Sequence, residues 1–260
     1  MWEYSIKLLK ENKKISDKIF SILKRKTGKF KSVVVSFFDE NYCSVTIAVE
    51  EKYVENTEEL LAKIITKIIC YDFKSEFLEK FLFMPEQDSI NITAFKNALI
   101  NFDKETDYFL VSKNLILEKE IFLESFYNFR LSKLQEKWGE LVNLANENKD
   151  YLVCKDAFYD LLKFLIDNID VTKREIEVFE DEDGYRIIPS VDMENEEYEN
   201  KLFSSEALVS SLIELSPRKI ELYYSTENDA TSLLKTIFEK RVNLHNDKQE
   251  TSNLQILNKR

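Results

Sequence analysis

The stretch FLESFYNFRLSKL, residues 122–134, opens a long run of apolar residues at helical spacing. The apolar positions step by threes and fours, which places them on one face of an α-helix. They are Leu123, Tyr127, Leu131, Leu134, Trp138, Leu141 and Ala145. The sequence therefore predicts a single long amphipathic helix over residues 123–145, with a buried face that neighbouring elements must cover.

A second amphipathic helix is predicted shortly after the first. Residues 151–167 have the sequence YLVCKDAFYDLLKFLID, and the polar segment 146–150 separates them from the first helix. The predicted buried face consists of Cys154, Phe158, Leu161, Leu165 and Ile169. Together with an interrupted helical pattern upstream, the two helices predict a central bundle of long helices over residues 84–170.

The N-terminal residues predict a small α/β unit over residues 1–83. Apolar and polar residues alternate over residues 2–8, which is the period of a β-strand. After a stretch with helical spacing, the runs SVVVSFF at 32–38 and CSVTIAV at 43–49 flank a turn-prone Asp-Glu-Asn. This order predicts a strand, a helix, a hairpin and a further apolar helix.

The last third predicts a small β-sheet with helices over residues 171–245. The runs REIEVFE and YRIIPS flank an Asp-Gly pair, which is a strong signal for a β-hairpin. A helix begins at Ser204 or Ser205 and is stopped by Pro217, and the strand KIELYY follows. Another helix and a short strand RVNLH come next, and the polar tail 246–260 is predicted to be disordered. The predicted fold class is α+β.

Composition and charge limit the possible partners. The chain has 260 residues and a formal net charge of -11. Because nucleic-acid binding draws much of its affinity from neutralised phosphates, a nucleic-acid partner is not expected. No stretch reaches the roughly 18 apolar residues that a membrane helix needs, so no membrane association is predicted. Three cysteines without a CxxC pair suit a reducing cytoplasm.

Motifs for nucleotide, cofactor or zinc binding are not found in the sequence. The three glycines lie too far apart for a P-loop or a Rossmann fingerprint. His245 is the only histidine, which excludes multi-histidine zinc sites. Because the chain has many carboxylates, its composition does not exclude acid–base catalysis by a carboxylate pair. The acidic cluster 180–183 is best interpreted as an exposed hairpin turn. No catalytic residue, cofactor or metal is predicted.

Arg130 is the most chemically costly residue of the predicted long helix. It lies one helical turn from Phe126 and from Leu134, on a face expected to be buried. A half-buried guanidinium needs an anionic partner, and a structural ion pair is favoured over a ligand. The candidate carboxylates are Glu124, Asp160 and Asp167.

Several blocks of the chain together resemble one known family. They are the pattern F-x-x-F-R-L at 126–131, DAFYDLLKFLI at 156–166 and SPRKIEL at 216–222, with Phe238 and the pair 241–242 closing the series. In this order and spacing the chain resembles the YtxC-like family of sporulation proteins. The resemblance implies a cytoplasmic protein of a spore-forming bacterium, and it brings no reaction with it.

The resemblance covers roughly residues 122–244 and depends mainly on packing positions. Lys163 stands where the family pattern has an arginine, which weakens any bidentate pairing with a carboxylate. Arg218 and Lys219, near the start of a predicted strand, are further candidates for ion pairing or ligand binding.

Two functional hypotheses follow. The first is a non-enzymatic interaction protein of sporulation, with a protein partner. The second is a small-molecule-binding protein or a carboxylate-dependent enzyme, with a pocket where the Arg130 helix meets the C-terminal sheet.

Overall fold

The computed structural model describes residues 1–28, 31–84, 88–189 and 201–246. The strands are β1 (Trp2–Leu9), β2 (Ser32–Phe38), β3 (Tyr42–Val49), β4 (Glu120–Phe122), β5 (Glu175–Asp181), β6 (Gly184–Pro189), β7 (Leu202–Phe203), β8 (Lys219–Tyr224) and β9 (Val242–Asn246). The helices are α1 (Lys13–Lys26), α2 (Val54–Ile68), α3 (Lys74–Phe81), α4 (Ser89–Asn101), α5 (Lys104–Asn114), α6 (Leu123–Arg130), α7 (Ser132–Glu147), α8 (Lys149–Val153), α9 (Lys155–Asp167), α10 (Ser205–Leu215) and α11 (Asp229–Phe238). The predicted α+β fold class is confirmed.

The chain forms two compact units, each built from two separate segments. The first unit consists of Met1–Leu82 and Lys104–Leu144, and the second of Phe83–Asp103 and the chain from Ala145 onward. These units differ from the division at 83/84 and 170/171, which stays a prediction. The difference arises because α5, α6 and α7 contribute Val111, Leu123, Leu134 and Trp138 to the core of the first unit, whereas α4 packs with α9 and α10.

The sheet of the first unit has the strand order β2-β3-β1-β4. The predicted N-terminal strand and hairpin are confirmed, with β1 and β2 both antiparallel to β3. One face of the sheet is buried, and its members include Tyr4, Ile6, Leu8, Val45 and Ile47. The short strand β4 joins parallel to β1, with Ile121 opposite Ile6, and it was not predicted.

The predicted single helix over 123–145 is wrong, because the chain forms two helices, α6 and α7. Leu131 between them leaves the helical conformation, with φ -115° and ψ 32°. Its carbonyl accepts the N–H groups of Leu134 and Gln135, which start the next helix. The Gln135 side chain donates to the Tyr127 carbonyl at 2.7 Å, so a carbonyl freed by the break is satisfied.

The sheet of the second unit has the order β7-β6-β5-β8-β9. The predicted hairpin is confirmed as β5 and β6, and β8 lies parallel to both β5 and β9. One face of this sheet is buried, with Ile176, Val178, Ile187, Ile220 and Leu222 among its members. Ser204 caps α10 as predicted, since its hydroxyl accepts the Ala207 N–H at 3.3 Å.

Two further predictions concern the helix over residues 151–167 and the C-terminal tail. The predicted helix over 151–167 is divided into α8 and α9 at Cys154, whose ψ of 118° is extended. Cys154 is exposed and not buried as predicted, because it lies outside the helical face. The predicted disordered tail lies outside the described residues, apart from Asn246 at the end of β9.

Among the helices in the described parts of the chain, none has the length and apolar character needed to cross a bilayer.

Candidate functional site

Arg130 is exposed, which corrects the expectation of a half-buried guanidinium. It is the last residue of α6, where the helix ends and the apolar face of the predicted long helix is interrupted. Glu124, one of its predicted partners, is buried and bonded elsewhere in the same unit. Its Oε1 accepts the Leu9 N–H at 2.8 Å and the Asn12 side-chain N–H at 2.7 Å.

Arg130 lines an open groove of about 260 Å³ in the first unit. Aromatic rings and carboxylates share this groove with the guanidinium. The lining residues are Asn114, Ile116, Glu118, Glu120, Ile121, Phe122, Ser125, Phe126, Phe129 and Arg130. Glu120 lies 2.8 Å from the Lys7 ammonium, so one of the two carboxylates is already paired. We call these ten residues the Arg130 groove.

Lys163 and Asp160 lie on α9 in the second unit. The Lys163 ammonium donates to Glu239 Oε1 at 2.6 Å, and this hydrogen bond raises the pKa of Lys163 above its usual value. Asp160 is exposed. Asp167, the third predicted partner of Arg130, lies 3.9 Å from the Arg241 guanidinium. Lys163 therefore makes an exposed ion pair with Glu239.

Arg218 and Lys219 lie at the start of β8, and each contacts a carboxylate. Arg218 forms an ion pair with Glu175 on the neighbouring β5. The Lys219 ammonium lies 2.5 Å from Glu221 Oε1 on the same strand. The roles suggested for these residues in ligand binding stay predictions.

The second sheet carries a row of stacked rings on the face opposite its buried residues. Cross-strand register places Phe179, Tyr223 and His245 side by side on β5, β8 and β9. The Phe179 and Tyr223 ring centroids are 4.6 Å apart and the planes differ by 4°. Tyr223 and His245 are also 4.6 Å apart, with planes at 17°. The three rings therefore form one preformed row across three strands, with their faces packed against each other.

Polar and apolar side chains surround the stack on this face. Arg186 lies opposite Phe179, and Ile188, which is 50% exposed, lies opposite Glu177. We call this surface the open face. Its members are Glu177, Phe179, Arg186, Ile188, Glu221, Tyr223, Asn243 and His245.

Glu221 is a negative charge of the open face that three neighbouring groups hold in place. Its carboxylate lies 2.5 Å from the Lys219 ammonium, 2.7 Å from His245 Nε2 and 3.1 Å from Asn243 Nδ2. The hydrogen bond from Lys219, followed by that from His245, lowers the pKa of Glu221 to about 2. Glu221 is therefore ionised at neutral pH, and it orients the His245 ring within the stack.

A buried charge cluster in the first unit was missed by the sequence reasoning. Asp107, which is fully buried, accepts hydrogen bonds from Lys74 at 2.7 Å, Lys137 at 2.6 Å and the Trp138 indole at 3.1 Å. Burial lowers the pKa of Lys74, and the nearby Asp107 opposes that shift. The sequence did contain a signal, since Cys70, Lys74 and Leu78 step by four along one apolar face. A lysine in such a series predicts a buried cation that needs a carboxylate.

A turn of π-helix, Ile69–Phe73, precedes Lys74. Turns of this kind are rare and often occur at functional sites. Cys70 lies within it and is buried, and burial raises the pKa of its thiol. A protonated thiol is a poor nucleophile, so the geometry favours a packing role for Cys70. Within the described residues, no group of three or more His, Cys, Asp or Glu is positioned to hold a metal ion.

Comparison with known proteins covers the Arg130 groove, the open face and the buried charge cluster. A family model described as the YtxC-like family matches residues 55–243. The match includes the Arg130 groove, the buried charge cluster and all of the open face except His245, and it begins after β3. No curated protein and no solved structure matches the chain.

Proposed function

The chain belongs to the YtxC-like family, and we propose that it is a cytoplasmic, non-enzymatic interaction protein that binds a protein partner during sporulation. The sporulation context and the compartment come from the family resemblance. The observation that carries the interaction role is the stack of Phe179, Tyr223 and His245 on the open face.

The open face has the composition of a protein-binding surface. Aromatic residues are enriched at protein interfaces because they bury a large area with little loss of side-chain entropy. The rings of the stack are already ordered against each other, so binding would cost little further ordering. Arg186, opposite Phe179, and Glu221, on the same strand as Tyr223, supply charges of both signs, which would fix the orientation of a partner.

Stacked rings on a sheet also serve some proteins as a platform for nucleic-acid bases. Glu177 and Glu221 lie directly beside the stack here, and the net charge of the chain is -11. Glu177 and the acidic net charge would repel the phosphates of a nucleic acid, whereas the charge of Glu221 is balanced by the Lys219 ammonium 2.5 Å away. A protein partner is therefore the better match to the chemistry of the open face.

The test combines a deletion strain of the spore-forming host with complementation by variants. We expect the deletion to impair spore formation and the unaltered chain to restore it. The variant Phe179→Ala/Tyr223→Ala removes the stack and should fail to restore sporulation. It should also lose the complex that cross-linking of sporulating cells captures with the unaltered chain.

The matched control is Phe164→Ala in the same unit. Phe164 is an aromatic residue of α9 and is 57% exposed, but it lies outside the open face. This control should behave as the unaltered chain in both assays. Normal sporulation and an unchanged complex with the double variant, once its folding has been checked by urea unfolding, would contradict the proposal.

The Arg130 groove supports a second candidate function, the binding of a small ligand. Its volume of about 260 Å³, the exposed guanidinium and the rings of Phe122, Phe126 and Phe129 suit a small aromatic carboxylate. Phenylacetate is a suitable probe, and we expect a dissociation constant on the order of millimolar for so small a ligand. Binding followed by NMR should be lost in Arg130→Ala and retained in Lys133→Ala. Equal binding by both variants would exclude the groove as the site.

A further inference from the structure

Strand β2 is an edge strand without the usual protection against pairing. It is the terminal strand of the first sheet, and no described strand pairs with its outer edge. Its sequence SVVVSFF contains no charge and no proline. Natural proteins usually protect such edges with charged residues, prolines or bulges, because an unpaired edge is a template for another strand.

The side chains of β2 add an exposed apolar stripe to this free edge. Val33, Val35 and Phe37 alternate along the strand, so they share the face opposite the core. They are 59%, 51% and 64% exposed. Neither the backbone edge nor the stripe is covered by the rest of the described chain.

From this edge we propose that β2 pairs antiparallel with β2 of a second copy of the chain, centred on Val35. A two-fold axis perpendicular to the sheet keeps the apolar stripe of both copies on one face, since residues opposite each other share a face. Val35 then lies opposite Val35 of the partner subunit, and Val33 lies opposite Phe37 of the partner subunit. The two four-stranded sheets become one continuous sheet of eight strands.

The charges that flank β2 favour this pairing with itself. Lys31 precedes the strand and Asp39 follows it. The register centred on Val35 places Lys31 opposite Asp39 of the partner subunit, and Asp39 opposite Lys31 of the partner subunit. Lys31 is 80% exposed, with Glu50 at 3.7 Å, so it is free to turn toward a second carboxylate. A parallel arrangement would instead bring like charges together. The strand is therefore self-complementary in one orientation only.

The pairing is closed, since each copy offers one such edge and uses it once. An interface of two seven-residue strands is small, and we expect a dissociation constant on the order of 10 μM. β2 precedes the residues matched by the family model, and the open face lies in the other unit. The inference is therefore independent of the proposed function.

Disulfide trapping tests the register directly. Opposed residues in an antiparallel pair have Cα atoms about 4.5–5.5 Å apart, within the range of a disulfide. In a Cys154→Ser background, which removes the exposed native thiol, oxidised Val35→Cys should form a covalent dimer. Val33→Cys should not, because two copies of residue 33 are about 13 Å apart along the strands. Equal cross-linking of both variants, or of neither, would overturn the register.

Sedimentation equilibrium of the full chain tests the association itself. The unaltered chain should dimerise, and Val35→Lys, which brings two ammonium groups together at the axis, should weaken the dimer at least about tenfold. Ile116→Lys is the matched control, since it places the same charge at a residue 66% exposed outside β2. It should leave the dissociation constant unchanged. A monomer at about 1 mM, open-ended assembly, or equal effects of both lysines would each overturn the proposal.

Discussion

At the scale of single residues, Asp107 is a buried carboxylate held by three hydrogen-bond donors in the first unit. It is fully buried and satisfies two ammonium groups and one indole. Burying a charge is costly unless it is paired, and removing one partner leaves the others without compensation. Stability should therefore depend more on the carboxylate than on either lysine alone.

This dependence predicts that variants of the buried charge cluster lose different amounts of unfolding free energy. We expect Asp107→Asn to lower the free energy of unfolding by about 3–5 kcal/mol, because it removes the carboxylate charge that lies 2.7 Å from the buried Lys74 ammonium. Lys137, whose side chain is 26% exposed, should matter less, and Lys137→Met should cost about 1 kcal/mol. Urea unfolding measures both, with the exposed Asp17→Asn as the control. A loss below about 1 kcal/mol for Asp107→Asn would show that the cluster is energetically neutral.

Glu221 predicts how the second unit responds to acid. Its pKa of about 2 in the folded chain lies below the ordinary value of 4.5, so its pairing stabilises the fold above pH 4.5. This contribution is lost as the pH falls from 4.5 through about 2. Over that window the unaltered chain should lose about 1 kcal/mol more stability than Glu221→Gln, measured by urea unfolding at each pH. Parallel pH profiles for the two proteins would contradict this assignment.

At the scale of elements, periodicity predicted most strands and helices but not where they break. The stripe from Leu123 to Ala145 continues in spacing through Leu131, and only the backbone turn at that residue divides it. The hydrogen bond from Gln135 that stabilises the break has no counterpart in the apolar pattern. β4 was missed for a related reason, since three residues are too few to show a period and its partner β1 is distant in sequence.

The surroundings of Gly184 and Gly139 predict opposite effects on stability when each is replaced by alanine. Gly184 in the β5–β6 turn has φ 150°, and an added Cβ would lie 2.6 Å from the Phe203 carbonyl oxygen. Gly184→Ala should therefore destabilise the protein by about 2–4 kcal/mol. Gly139 in α7 has open space around it, so Gly139→Ala should stabilise by about 0.5–1 kcal/mol. Thermal unfolding should shift down for the first and up for the second, and shifts of equal sign would contradict the geometry.

At the scale of the whole molecule, the order of the predicted strands and helices indicated the α+β class but not the path of the chain between the two units. Contacts such as those of Leu123, Leu134 and Trp138 with the first core depend on residues far apart in sequence. The candidate surfaces were equally hidden, because the open face forms only when three strands are brought into register. Arg130 was identified from sequence, but the groove beside it depends on the end of α6.

The two-segment build of the first unit predicts how fragments behave. Residues 1–83 contain β1, β2 and β3 but lack β4 and the buried Trp138, so this fragment should not unfold cooperatively in urea. Residues 1–144 restore those elements and should show a cooperative transition. Cooperative unfolding of the shorter fragment would support the division at residue 83.

The second unit is also built from two separate segments, and this determines when its helices can meet during synthesis on the ribosome. α4 ends at Asn101, whereas its partner α10 begins only at Ser205. At about 5–20 residues per second, the apolar face of α4 waits roughly 5–20 seconds for its partner to emerge. Ala94, Phe95, Ala98 and Leu99 lack α10 during that interval, and the first partner to emerge is α9, which begins at Lys155 and supplies Phe158 to Phe95. The nascent chain therefore offers a chaperone a binding segment that disappears once translation is complete.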